Sequence, residues 1–545
     1  MSRYRVLVAL VPRIGVTDLL AKDPTLALSV LLAMRDQSVG SAAANLLETM
    51  LKTDCDKAWW LSPVLTALSD TDPKLRYGLS NYALPTIARV VPGGITALLE
   101  SLQELPDCAQ PTPSGGLAGD LGHLWAMTAV IKVARKWGAS GEASSQNSAQ
   151  PLPAAATAKV LRAALLHADD EMRLNALEMV CMHPKMTEPP TQAEVDLVQE
   201  FLSLNMKSSS SNYRQKCMEL LKRLFLRMRM ARGHIETLVR KAERGVRNDK
   251  RQAFIMPAAH LLDLPERVDR FLRWLAEHLT AALFPGASFE RNIMALELYV
   301  IAIDVWLPAR ARFPDPQIAE LKCSDDDKLH IEEALFQPKA THAVINCIVN
   351  SFDYVRKQAV EVLWRFPAPL PGVADRPSLL ALLRWSESLV NSPRARESDA
   401  GSLIVKIVYQ KYVKELGWYL SPFPVSDAMT SVDPPADPTL SPAIFFLQRL
   451  SEGIARRIDA AETNLESTFA SSFAQGLLLT LRQVLPDIQR EMPSLNATHR
   501  QHQLDQPVLQ IWRDLLAQVC RQPCVQGVAG VASPLPQRAS DAMPP

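Results

Sequence analysis

At 545 residues the chain is too long for one compact domain and long enough for several. About half of it is apolar (48%), only 6% is aromatic, and the charges nearly cancel at +1, which excludes a disordered chain and a uniformly cationic nucleic-acid binder but permits a local basic surface. Eight scattered cysteines, mostly on apolar faces, read as reduced core thiols rather than a disulfide framework.

Taken in order, residues 3–34 carry helical periodicity without strand alternation, and residues 36–51 continue it with Leu46, Leu47 and Met50 on one face. Asp72-Pro73 is a helix start, an acidic cap followed by proline at the first helical position; Pro85 should then kink or break that helix. A helix over 95–105 opens after Gly93-Gly94, and another spans 121–137 between a Pro/Gly loop and a polar stretch. Residues 161–190 (LRAALLHADDEMRLNALEMVCMHPKMTEPP) read as two antiparallel helices turning at Asp169-Asp170. Thr191 and Glu194 form a capping box for the next helix, and a serine loop at 208–211 precedes a basic helix over 213–232. Helices follow over 268–283, 289–306, 328–336, 343–366 as a pair, 379–390 and 397–416.

The domain plan that emerges has helical repeats over 1–105 and a loop region over 106–157 interrupted by one helix. Repeats resume over 158–420 with a basic segment at 214–251. A linker with six prolines follows at 421–442, then C-terminal helices over 443–520 and a disordered tail over 521–545. A short pattern, Asp-x-apolar-Arg-x-x-Ala, recurs as Asp170, Arg173, Ala176 and as Asp353, Arg356, Ala359, with an echo at Leu75-Arg76. The expected roles are structural: Asp caps, Arg reaches a neighbouring turn, and Ala lets paired helices approach. Such recurrence predicts an all-α fold, a HEAT/armadillo-like α-solenoid of stacked antiparallel helix pairs.

Chemistry-bearing motifs are missing from the sequence. It has no GxxxxGK[ST], no GxGxxG after a strand, no HExxH and no GxSxG. The glycine-rich run at 115–122 has no preceding strand, and Cys520 and Cys524, with His499 and His502 upstream, are too loosely framed to hold zinc. His167 and His183 read as hydrogen-bonded histidines at helix ends. The expectation is a non-enzyme with no cofactor, metal or catalytic residue. No segment reaches the ~18 apolar residues of a membrane span, and the start lacks a secretory pattern, so a cytoplasmic protein without membrane contact is expected.

One anomaly is charge. Residues 214–251 hold thirteen basic against four acidic side chains, a local +9 in a chain of total +1. Arg223 and Arg227 follow helical spacing, as do Arg240, Arg244 and Arg247; with Lys241, Lys250 and Arg251 they form a candidate RNA-binding stripe that would neutralise phosphates without reading bases. The competing reading is a solvated face or a dock for an acidic protein.

At the central hairpin the sequence resembles the thyroid adenoma-associated protein family. The resemblance rests on residues 167–190, Leu204-Asn205, the serine loop before Tyr213-Arg214, and ordered segments at 41–51, 75–85 (LRYGLSNYALP), 283–298, 397–418 (ESDAGSLIVKIVYQKYVKELGW) and 473–485. It implies a helical-repeat protein without a catalytic centre. Such a protein would help an FtsJ-type 2′-O-methyltransferase act on the tRNA anticodon loop by binding tRNA, the enzyme or both. Members are longer, and the Arg-Arg-Ser-Ala-Gly-type segment of their central domain has no counterpart here. The alternative expectation is a general solenoid adaptor between proteins with no RNA role.

Overall fold

Helices start where the sequence supplies a carboxylate or hydroxyl for orphan amides. Asp36, Asp56, Asp72 and Asp169 accept from Ser38, Ala58, Lys74 and Met172, and Ser288 accepts from Arg291. Thr191 and Glu194 complete the expected capping box. The computed structural model describes residues 2–416 apart from 71, 104–120, 139–153, 184, 248–262, 320–324, 391 and 393. The expected Pro-rich linker, C-terminal helices and tail, and the Cys520/Cys524 and glycine-rich segments, lie outside the described residues.

The chain divides into two units, residues 1–268 with 320–322, and residues 269–319 with 323–545. The first holds α1 (Ser2–Ile14), α2 (Val16–Lys22), α3 (Leu26–Leu32), α4 (Gln37–Thr53), α5 (Lys57–Leu68), α6 (Pro73–Gly78), α7 (Leu84–Val90) and α8 (Gly94–Gln103). It continues with α9 (Leu121–Gly138), α10 (Ala154–Leu165), α11 (Asp170–Cys181), α12 (Gln192–Asn205) and α13 (Ser211–Arg247). Two rows emerge from the packing: α3 on α5 and α5 on α8, with α10 on α12; and α4 on α7, α7 on α9, α9 on α11, α11 on α13. Each hairpin therefore buries its second face against a neighbour, as stacked repeats require.

The second unit holds α15 (Phe289–Trp306), α16 (Pro316–Ala319), α17 (Asp325–Leu335), α18 (Pro338–Cys347), α19 (Asp353–Arg365), α20 (Arg376–Val390) and α21 (Ala395–Val408). The unit boundary falls within α14 (Leu264–Ala282). Here α19 packs on α15 and on α21, while α18 pairs with α19 and α20 with α21. Both units are all-α stacks of helix pairs, and no β-strand occurs among the described residues. No single helix among them is long and apolar enough to cross a membrane.

The differences from expectation are local. The run over 3–34 is three helices, broken at Gly15 (φ 90°) and around Asp23. Pro85 does not break its helix. A π turn at Leu79–Ala83 joins α6 to α7, opening the ladder where proline lacks an amide and crowds the preceding turn. The basic helix runs 37 residues rather than stopping at 232. Asp170 and Asp353 do not cap: α11 is capped by Asp169, and Phe352 at the start of α19 makes no side-chain cap. Ala176 and Ala359 are fully buried, as close helix approach demands. Two glycines mark even closer contacts. A Cβ on Gly78 would lie 2.3 Å from the Met34 carbonyl oxygen, and one on Gly401 2.6 Å from the Val390 amide nitrogen.

Candidate nucleic-acid interface

The recurrent arginine has a definite job. Arg173 donates from Nη1 to the His167 carbonyl at 3.0 Å, Arg356 to Asn350 at 3.0 Å, and Arg76, through Nε, to Asp70 at 3.0 Å. In each case the acceptor lies six residues back, in the turn that follows the preceding helix. Arg214 does the same to Ser208 at 2.6 Å. An arginine in the first turn of one helix thus fastens the turn leading into it. Asp170 and Asp353 sit beside these arginines as ion-pair partners. Arg173 also donates to the Tyr213 hydroxyl at 3.0 Å and lies over its ring, while Tyr213 donates to Asn205 at 3.1 Å. That chain explains why the Leu204-Asn205 and Tyr213-Arg214 pairs accompany the hairpin. His167 accepts at Nδ1 from the Asp169 amide, and His183 from Lys185, as expected of histidines near helix ends.

Of the expected cationic stripe, Arg227 is corrected. It is 1% exposed, between buried Leu224 and Ala231 on the inward face of α13. Its guanidinium donates to the carbonyls of Glu188 (2.8 Å), Val180 (3.1 Å) and Pro189 (3.2 Å), and Glu194 lies 3.4 Å away. Arg135 of α9 reaches the same carboxylate and the Met179 carbonyl. Arg227 and Arg135 thereby satisfy the last carbonyls of α11, which have no partner within the helix. Burial holds Arg227 below its ordinary pKa, opposed by the Glu194 charge. Arginine stays protonated so far above neutrality, and the group is an Arg–Glu–Arg cluster, with Arg227 and Glu194 buried and Arg135 partly exposed, joining α9, α11, α12 and α13. Sequence reasoning saw Glu194 only as a cap. The missed signal was an arginine at an apolar helical position.

Arg229 and Arg232 are also buried, at 7% and 3%. Exposed on α13 are Lys216 and Arg223, two turns apart on one face, and Arg240, farther along and about a quarter-turn round the helix. Arg223 pairs with Glu219 at 2.9 Å and Arg240 with Glu236 at 3.7 Å, exposed or half-exposed pairs that hold the cations weakly. Lys241, Arg244 and Arg247 continue α13, but their side chains, together with Lys250 and Arg251, lie outside the described residues. The basic segment is therefore of two kinds: buried arginines, of which Arg227 ties α13 to α11 and α12, and a few exposed cations.

The same capping device recurs in the second unit. Lys411, 2% exposed, donates to the carbonyls of Trp364 (2.8 Å) and Phe366 (2.7 Å) at the end of α19 and pairs with Glu415. Arg365 donates to both carboxylate oxygens of Asp304, from Nε at 2.7 Å and from Nη2 at 3.3 Å. Among the described residues no group of three or more His, Cys, Asp or Glu side chains is placed to hold a metal ion. The buried thiols are unsuited to nucleophilic chemistry: burial pushes Cys217 and Cys347 up to about 12.

Comparison with known proteins supplies the family. The family described as Trm732, TPR repeats matches residues 57–357. The tRNA (32-2′-O)-methyltransferase regulator THADA of Chlorocebus aethiops is 24% identical over 491 residues, 86% of this chain and 24% of that protein. Its Homo sapiens counterpart is 24% identical over 486 residues, with 85% and 24% covered. The regulator trm732 of Schizosaccharomyces pombe is 18% identical over 358 residues, with 65% and 21% covered. The chain spans about a quarter of the length of the curated relatives it matches. With more than half of its residues inside the family match, the chain belongs to the Trm732/THADA family of helical-repeat proteins.

Proposed function

We propose that the chain is a non-catalytic helical-repeat subunit that supports 2′-O-ribose methylation in the tRNA anticodon loop, at nucleotide 32, by holding tRNA, an FtsJ-type methyltransferase or both. The observation that carries this reading is the ordered match over residues 57–357 to a family whose curated members are named regulators of that methylation. The exposed cations on α13, which lies inside the match, support RNA as one ligand. They are Lys216, Arg223 and Arg240, and Arg244, Arg247, Lys250 and Arg251 follow them in the sequence. Cations so arranged neutralise phosphates and tolerate sequence.

The test is co-purification of the chain with the candidate methyltransferase, with and without tRNA, followed by a salt titration of tRNA affinity. The reading expects a complex, and affinity that falls steeply with salt. Replacing Arg223 and Arg240 by glutamate should lower the log–log salt slope by about one for each phosphate that is no longer neutralised. A chain that binds acidic proteins insensitively to ribonuclease, with no complex and no tRNA affinity, contradicts it and favours a protein adaptor.

A further inference from the structure

A groove in the first unit is unclaimed by the reading above. Its floor is one face of α9, where Trp125, Thr128, Ala129, Lys132, Val133 and Lys136 recur at helical steps, and it encloses about 770 Å³. From Trp125 to Lys136 the floor runs about 16 Å at ~1.5 Å per residue. One wall comes from α6 and the π turn, through Tyr77, Ser80 and Asn81. The other comes from α11, through Met172 and Asn175.

The two ends differ in chemistry. At one end Arg76 lies 5.1 Å over the Trp125 ring, and one of its terminal nitrogens is buried without a partner. Tyr77 beside it is 55% exposed. At the other end Lys132 and Lys136 are exposed one turn apart, with Lys132 drawn to Glu178 at 2.6 Å. Cβ atoms so placed are roughly 5–6 Å apart, so the two ammonium groups share one side of α9. The lining carboxylates are Asp169, already accepting from the Met172 amide, and Glu171. A docked partner helix would want a continuous apolar floor, but here Ala129 and Val133 are the apolar middle of an aromatic-to-cationic gradient.

We propose that this groove binds a short single-stranded stretch of RNA, with a base against Tyr77 and Trp125 and the backbone along Lys132 and Lys136. Aromatic platforms beside cations are the chemistry that holds unpaired nucleotides. A duplex keeps its bases stacked inside and offers none to the aromatic end. The proposal deepens the RNA reading above by naming a second surface and the single-stranded class of ligand. It rests on that reading for RNA as the partner, but its test needs no methyltransferase.

The experiment is fluorescence anisotropy of the full chain with a labelled RNA hexamer, competed by unlabelled hexamer or by a blunt RNA duplex of equal nucleotide content. The hexamer binds and the duplex competes poorly. Tyr77→Ala weakens hexamer binding about tenfold, the loss expected for one stacked base. Lys132→Gln with Lys136→Gln weakens it by a similar factor and flattens its salt dependence. Lys339→Gln, an exposed cation on α18 outside the groove, leaves it unchanged. All these side chains are exposed, and thermal melting confirms that the variants fold. A hexamer bound no better than the duplex, or affinities unmoved by both groove variants, overturns the proposal and leaves the groove to a protein segment. If the hexamer fails while methylation is still supported, only the groove assignment falls. If the hexamer binds but methylation is not supported, the regulatory reading falls instead.

Discussion

Removing the guanidinium of Arg173 should loosen the repeats around α11 without touching any outward cation of α13. The side chain is 19% exposed and makes two hydrogen bonds from a charged donor to neutral acceptors, the His167 carbonyl and the Tyr213 hydroxyl. Bonds of that type contribute roughly 1.5–3 kcal/mol each. The position over the Tyr213 ring adds about 0.5–1 kcal/mol. The pair with half-exposed Asp170 adds at most about 1 kcal/mol. Water replaces part of this after truncation, and the contributions are not additive, so Arg173→Ala should cost about 2–4 kcal/mol locally. In a repeat protein the right observable is local. Hydrogen exchange at the protected amides of α10 to α13 should therefore speed up roughly 30- to 1000-fold. Tyr213→Phe should cost less, about 1–2 kcal/mol, and the double variant should show coupling, because both remove the same bond. The control is Arg223→Ala, whose exposed partner Glu219 is 62% accessible; it should change exchange little. Unchanged exchange in Arg173→Ala would refute the fastening role assigned to the recurrent arginine.

Three further outcomes follow from the packing and the titrating groups. Glu194→Ala leaves Arg227 buried, and Arg135 partly buried, without their counter-charge and removes half of a capping box. It should cost about 3–5 kcal/mol by chemical denaturation, and a loss under about 1 kcal/mol would contradict the cluster. Gly401→Ala places a Cβ against the α20 backbone, so it should destabilise the second unit by at least about 1–3 kcal/mol; a neutral result on thermal melting would show that α20 and α21 do not approach so closely. The phenols of Tyr213, Tyr299 and Tyr412 are pushed above 10.0 chiefly by burial. The unfolded chain gives up these protons first, so their contribution is intact below pH 10 and is lost as pH rises beyond it. Tyrosinate absorbance from these residues should appear only as the helical circular dichroism disappears, and ionisation with the helices intact would contradict their burial.

What the sequence discloses is set by how local each interaction is. The helix starts at Asp72-Pro73, Asp169 and Thr191–Glu194 are read within four residues, and each is present in the structure. The Asp-x-x-Arg recurrence is legible because donor and acceptor lie six residues apart in every copy. Arg214 belongs to the same set but is hidden in a basic run, where its charge speaks louder than its place after a serine loop. Arg227 is misplaced for the same reason: counting charge ignores that Leu224, Met228 and Ala231 put it on the buried face. Its partners are 33 to 47 residues away, and only the stacking of helices brings them together. Pro85 reads as a break because a π turn that accommodates proline has no short-range signature. The α9 groove is invisible in the sequence for a similar reason, being assembled from three separated segments.

The central claim is that this chain assists ribose methylation without performing it. The most direct measurement is site-resolved detection of 2′-O-methylation at nucleotide 32 in a reconstituted reaction of tRNA, methyl donor and the candidate FtsJ-type methyltransferase, with and without the chain. The account predicts no methylation by the chain alone and a large increase when it joins the enzyme, reduced by Arg223→Glu with Arg240→Glu. Methylation by the chain alone, or a rate with the enzyme that the chain leaves unchanged, would contradict it.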